Sequence, residues 1–196
     1  MDDKELVNRV LKGDTQLFAT VIKNTEGLVA QITFRLLSNS EDRKDIAQDI
    51  YLKAYRNLPG FKFQSKLSTW IGQIAFNTCF NFLEKKKLIL PDDRLSENVS
   101  NNSALEMAAN KLIKIAENEI ENKLFRTELA EIVQSAIGQL PPLYKTLINL
   151  FHYEDMSYEE IAEITSLPIG TVKNYLFRAR RAMKDHILLH YKKEEL

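Results

Sequence analysis

The 196-residue chain carries one cysteine, three histidines, six glycines and five prolines. A lone thiol, Cys79, cannot build a disulfide framework or a cysteine metal site, and its setting in an apolar helical pattern makes it a small core residue. His186 and His190 form an i, i+4 pair with no evident third ligand, and His152 stands apart, so they read as a surface pair rather than a metal site. No phosphate-binding glycine loop, metal cluster or nucleophile elbow occurs, so the expectation is no catalytic residue, no metal and no cofactor. Alternating strand patterns with hairpin turns are also missing, which excludes a sheet-rich fold. No apolar run approaches the ~18 residues of a membrane span, and the opening MDDKELVNRV mixes acids and bases. The expected protein is therefore cytoplasmic and not inserted in a membrane. Lys plus Arg (27) equals Asp plus Glu (27), and a zero balance argues against a protein that coats nucleic acid without specificity.

What the chain does contain is helical periodicity, with 44% hydrophobic residues, a globular level. Dense patterning runs from Glu5 to Lys87, breaks at Pro91-Asp92-Asp93 and across Ser96 to Ser103, and returns modestly from Ala104 to Glu117. A second compact block starts near Thr127. The expected fold is all-α, with two small helical domains at residues 1–90 and 127–196 joined by a flexible, polar linker over 91–126. In the second block Leu129, Ile132, Val133, Ala136, Ile137 and Leu140 repeat at helical spacing and stop at Pro141-Pro142. Leu143 to Phe151 supplies the next helix.

The most specific segment is SYEEIAEITSLPIGTVKNYLFRARRAMK, Ser157 to Lys184. Ser157 and Glu160 form an S-x-x-E capping box that starts a short helix, Thr165 and Ser166 interrupt it, and Pro168 opens a second one. This is a helix-turn-helix. On the second helix Val172, Leu176, Ala179 and Met183 share one side, while Asn174, Phe177, Arg178 and Arg181 share the other. Thr171, Lys173 and Asn174 sit near its N-terminus, where free amides and the helix dipole favour a phosphate. Lys173, Arg178, Arg180, Arg181 and Lys184 could be a merely solvated face. Against that, no acid intervenes before Asp185, and Phe177 places a ring on the charged side, suited to a thymine methyl or a sugar.

The first block carries two further surfaces. In SEDRKDIAQDIYLKAYRNL, Ile46, Ala47, Ile50, Ala54 and Leu58 form a buried side, leaving Asp45, Gln48, Asp49 and Leu52 together opposite. A leucine rimmed by polar groups is the pattern of a small protein-docking site, although single exposed leucines are common. The turn GFKFQSKLSTW, Gly60 to Trp70, then feeds a helix on which Trp70, Gln73, Asn77 and Asn81 align. Two readings stand side by side: aromatics and lysines that hold single-stranded bases, or a Trp-anchored core helix with a solvated amide edge.

Taken together, these stretches resemble the sigma factors of bacterial RNA polymerase, in particular the small two-domain extracytoplasmic-function type. Gly13-Asp14 with Phe18, EDRKDIAQDIYLKAYRNLPGF and LSTWIGQIAFNTCFNFLEKKK look like the promoter-melting domain; QLPPLYKTLINL and MSYEEIAEITSLPIGTVKNYLFRARRAM look like the upstream-element reader. The resemblance implies that Asp45, Gln48, Asp49 and Leu52 bind core RNA polymerase. It implies that the loop Phe61, Lys62, Phe63, Gln64, Ser65, Lys66 and Leu67 captures a flipped base of the minus-ten element, with Trp70 and Asn77 close by. It implies too that Thr171, Lys173, Asn174, Phe177, Arg178 and Arg181 enter the major groove at the minus-thirty-five element. The implied partners are core RNA polymerase, promoter DNA and an anti-sigma factor. The chain departs from the family pattern at Glu84, beside the helix-ending lysines, at Asn81, where an acid is common, and at Phe63, where a small residue is frequent. Two rival classes remain open to the residues alone: a helix-turn-helix regulator that binds an operator without polymerase, and a helical adaptor that binds only protein.

Overall fold

A computed structural model describes residues 2–85 and 123–190, and all regular structure among them is helical. The first stretch holds α1 (Asp3–Leu11), α2 (Phe18–Leu36), α3 (Ser40–Asn57) and α4 (Leu67–Lys85), with short 3-10 turns at Thr15–Leu17 and Leu58–Gly60. The second holds α5 (Lys123–Gly138), α6 (Pro142–His152), α7 (Tyr158–Thr165) and α8 (Ile169–His190). The expected break at Pro91-Asp92-Asp93, the expected helix at Ala104 to Glu117, and Lys86 and Lys87 lie outside the described residues. So does the 91–126 linker up to residue 122; α5 occupies its positions 123–126.

Local chemistry sets the helix starts. Asp2 caps α1 by accepting the Glu5 amide at 2.7 Å, and Asn39 caps α3 by accepting those of Glu41 and Asp42 at 2.7 and 3.3 Å. Glu41 and Asp42 in the first turn of α3 suit the positive end of the helix dipole. Between α1 and α2 the chain reverses through Gly13 at φ +108°, a backbone state that side chains with a Cβ avoid, and Arg9 closes the turn on Asp14 at 2.7 Å. Pro142 opens α6, where its missing N–H costs nothing. Pro168 stands immediately before α8 rather than within its first turn.

Contacts gather the helices into two units. The first contains α1 to α4 and also α7, which belongs to the segment Met156–Ile169. Within this unit α7 packs against α4. The core of this unit is apolar: Val7 of α1, Val21, Val29 and Ile32 of α2, Ile50 and Ala54 of α3, and Ile71, Ala75 and Cys79 of α4 are essentially sealed from water. Burial pushes the Cys79 thiol up to about 12, so it acts as a small apolar side chain. Two buried threonines of α2 satisfy themselves within their own helix: Thr25 donates to the Val21 carbonyl at 2.8 Å and Thr33 to that of Val29 at 2.9 Å.

The second unit contains α5, α6 and α8. Ile132, Val133, Ala136 and Ile137 of α5 are buried, as are Leu147, Ile148 and Leu150 of α6 and Val172, Leu176, Ala179 and Met183 of α8. Those of α5 and α8 are positions that the helical repeat singled out. Arg180 is the departure: it is 5% exposed, with its guanidinium 5.0 Å from the centre of the Phe151 ring. A cation on an aromatic face is stabilised where water is excluded, so this arginine belongs to the interior rather than to the basic face.

Candidate nucleic-acid interface

The α3 surface emerges from simple amphipathicity. Ile46, Ile50 and Ala54 turn inward, and Asp45, Gln48 and Leu52 are exposed, with Asp49 half-buried. Asp49 holds Lys53 one turn on, Oδ2 to Nζ at 2.7 Å, an exposed pair worth at most about 1 kcal/mol. Leu52 is 54% exposed. The four expected docking residues thus share one outward face. Tyr55, also exposed and edge-on to Phe18 at 5.0 Å, extends that face by one turn. Its i+3 spacing from Leu52 was the signal that could have found it.

The loop between α3 and α4 divides into anchors and displayed groups. Phe61 and Leu67, expected to touch a base, are buried. Phe61 packs under its neighbours, its ring centre 4.8 Å from that of Phe63 and 5.1 Å from that of Trp70. Leu67 enters the core as the first residue of α4, and its amide donates to Asp3 Oδ2 at 2.9 Å, so an acid of the chain's first helix caps the fourth. Between these anchors Lys62, Phe63, Gln64 and Lys66 are exposed and Ser65 is half-buried. Phe63 is displayed by a left-handed backbone, φ 57°, a conformation that costs a bulky residue about 1–2 kcal/mol. Along α4, Trp70 and Gln73 are half-buried while Asn77 and Asn81 face solvent. The tryptophan is therefore anchored by Phe61, and the amide edge it begins is open.

One contact here was not read from the sequence. Lys66 Nζ lies 2.8 Å from Glu160 Oε1, and the other oxygen of Glu160 accepts the Ser157 amide at 2.9 Å while Ser157 Oγ accepts the Glu160 amide at 3.1 Å. The expected capping box is present, but its glutamate serves a second partner. The hydrogen bond from Lys66 holds the Glu160 carboxyl below its ordinary range, and the same bond raises the Lys66 ammonium. The apolar side of the same contact is at Gly72. A Cβ there would stand 3.0 Å from Ile164 Cδ1 and 3.3 Å from Leu28 Cδ2, so α7 and α4 approach closely at this glycine and a larger residue would require these side chains to shift by a few tenths of an ångström.

On α8 the burial pattern separates support from display. Lys173, Arg181 and Lys184 are exposed, and Thr171, Asn174, Phe177 and Arg178 are half-buried, so the expected reading residues share the side opposite the buried stripe. Ahead of this helix, Ser166 ends α7 in a left-handed turn at φ 56°, and the Leu167 amide returns to the Ala162 carbonyl at 3.2 Å. Inside the unit, burial and then the Arg180 charge push His152 down to about 4, which keeps that imidazole neutral. His186 Nε2 lies 3.5 Å from Ser135 Oγ, and among the described residues no group of three or more metal-ligating side chains occurs. Among them, too, no helix is long and apolar enough to cross a membrane.

The comparisons with known proteins return one family. Residues 21–89 match the family model "Sigma-70 region 2", and residues 130–183 match "Sigma-70, region 4". The chain is 32% identical to the ECF RNA polymerase sigma factor SigW of Bacillus subtilis over 94% of its own length and 96% of that protein's. Its fold is similar to that of CnrH in complex with the cytosolic domain of CnrY, with TM-score 0.63 and 19% identity, covering 96% of this chain and 99% of that one. It is also similar to the sigma factor RpoE in complex with the anti-sigma factor NepR from Bartonella quintana, with TM-score 0.58 and 20% identity over 89% and 98% of the two chains. The two matched regions define a sigma-70-class transcription initiation factor. Within that class the chain belongs to the extracytoplasmic-function RNA polymerase sigma factors, which direct promoter-specific initiation of transcription.

Proposed function

We propose that this sigma factor works in the cytoplasm through three surfaces and without covalent chemistry of its own. The α3 face of Asp45, Gln48, Asp49 and Leu52, extended by Tyr55, docks on core RNA polymerase. The loop from Lys62 to Lys66, braced by buried Phe61 and Leu67 and flanked by Trp70 and Asn77, takes a base flipped out of the minus-ten element. Thr171, Lys173, Asn174, Phe177, Arg178 and Arg181 of α8 read the minus-thirty-five element in the major groove. An anti-sigma factor is the proposed regulator; the complex of RpoE with the anti-sigma factor NepR, whose sigma factor shares this fold, supports that reading.

The observation that carries the proposal is the separation on α8 of a fully buried apolar stripe from a half-exposed Asn, Phe and Arg side. Arg offers bidentate donors to guanine and Phe an apolar contact for a thymine methyl. Unpairing and flipping a base costs a few kcal/mol, which stacking on a displayed ring offsets at about 1–3 kcal/mol per base. The decisive experiment adds the purified chain to core polymerase and maps transcripts from genomic DNA. New start sites sharing a two-block upstream motif are expected; an active core that gains no new starts ends the proposal.

A further inference from the structure

The acid that caps α4 is remote in sequence. Trp70 donates its amide to the Lys66 carbonyl at 3.1 Å, which puts Lys66 at the N-cap position of that helix. A lysine has no acceptor to offer there, and a cation is disfavoured at the positive end of a helix. α1 and α3 begin on acceptors of the adjacent residue, Asp2 and Asn39. At α4 the Leu67 amide instead donates to Asp3 Oδ2 at 2.9 Å, across 64 positions of the chain. The element that sets where α4 starts, and so where the recognition loop ends, is therefore α1.

Asp3 is well fixed for this task. It is the first residue of α1, so its carboxylate lies at the positive ends of two helices, α1 and α4, both of which attract an acid. Leu6 and Val7, one turn on, are buried and hold α1 to the interior of the first unit. α1 also packs against the Leu58–Gly60 turn. That turn opens the recognition loop and Leu67 closes it, so α1 touches the chain on both sides of Lys62 to Lys66. The near end of the loop is pinned locally by buried Phe61, whose amide donates to the Leu58 carbonyl at 3.1 Å; the far end relies on Asp3. Between them Phe63 stands at φ 57°, a state that a bulky residue leaves when it is not held. Slack at Leu67 would lower the fraction of chains with that ring poised to meet a base.

We propose that Asp3 is a positioning residue for base capture at the minus-ten element: by accepting the Leu67 amide it fixes the far end of the loop, so that Phe63 and its neighbours discriminate among bases that a slack loop would hold alike. This rests on the assignment of the loop to the minus-ten element given above. Asp3 touches no DNA in this role. It acts through the backbone at the start of α4, and what it supplies is an acceptor at a fixed place.

The test uses two fluorescent single strands, one carrying the minus-ten block found by transcript mapping and one with a single base of that block replaced. Both are titrated with holoenzyme made from the full chain, and the ratio of the two affinities is the readout. Asp3→Ala is expected to reduce that ratio severalfold while leaving affinity for core polymerase, which rides on α3 of the same unit, unchanged. Asp3→Asn keeps a carbonyl acceptor and is expected to keep the ratio. Val7→Ala removes buried atoms from the same helix and lowers the unfolding midpoint, yet it leaves the Leu67 amide bonded and is expected to keep the ratio too. Deuterium exchange of the free chain reads the contact directly: the start of α4 should exchange faster in Asp3→Ala and at the wild-type rate in Asp3→Asn. A wild-type ratio or wild-type exchange in Asp3→Ala, an equal loss in Asp3→Asn or Val7→Ala, or loss of core binding in Asp3→Ala would each overturn this role; in the last case the acid holds the unit and not the loop. Should the wild-type holoenzyme make no distinction between the two strands, the assignment of the loop to the minus-ten element fails and the reading role of Asp3 with it, while faster exchange in Asp3→Ala would still mark a helix cap.

Discussion

The two surfaces proposed to contact DNA are built in opposite ways. On α8 the reading side is a by-product of packing: once Val172, Leu176, Ala179 and Met183 are buried, helical geometry alone sends Asn174, Phe177, Arg178 and Arg181 outward. The loop before α4 has no such repeat. There Phe63 is presented by a left-handed backbone resting on Phe61, and the loop is held at its far end by Asp3 on the Leu67 amide. The lesson is that a regular helix displays groups without backbone strain, whereas an irregular loop needs long-range anchors to hold what it displays.

The sharpest way to probe that contrast is to remove a support from the helical reader. Leu176→Ala, at a fully buried position, is expected to cost about 2–5 kcal/mol of unfolding free energy, read by chemical denaturation. A smaller effect should follow from pH in the same unit. The folded His152 pKa of about 4 lies below the ordinary 6.5, so the unfolded chain takes up the proton more readily between those values. Stability is then complete above about pH 6.5 and falls as pH drops toward 4, a slope that His152→Leu should abolish in denaturation midpoints taken across the window. Next, Arg178→Ala should weaken upstream recognition in the polymerase complex by about 1–3 kcal/mol without moving the unfolding transition. Unchanged promoter affinity would remove that residue from the reading face. Smallest in stability is Phe63→Gly: relief of about 1–2 kcal/mol of backbone strain offsets the lost ring contact, leaving unfolding within about 1 kcal/mol of wild type. Permanganate footprints of the open promoter should nevertheless weaken, and an unaltered footprint would dissociate the ring from base capture.

How far the sequence disclosed this molecule follows from the same contrast. The all-helical fold, the buried positions of α8, those of α3 apart from half-buried Ala47, and the Ser157–Glu160 cap were legible because each depends on spacing within one helix. Arg180 misled because it stands about 70° from the centre of the α8 apolar stripe, where a long side chain can turn either way. Only the neighbouring Phe151 decides it, and that residue comes from another helix. Phe61 and Leu67 were read as displayed for a related reason: a loop has no period to separate its anchors from its exposed groups. The double use of Glu160 was hidden because the capping box already accounted for its carboxylate. Gly72 offered one clue, a glycine in the middle of a helix where alanine would be more stable, which signals close approach by something.

The placing of Phe61 and Leu67 has a practical corollary for engineering. Because both ends of the recognition loop are fastened to the interior while Lys62 to Lys66 project from it, the intervening stretch behaves as an exchangeable cassette. Grafts from relatives that respect those two fastening points should transplant promoter preference while leaving the scaffold untouched, whereas grafts that replace either one would disturb the scaffold before they altered what is read.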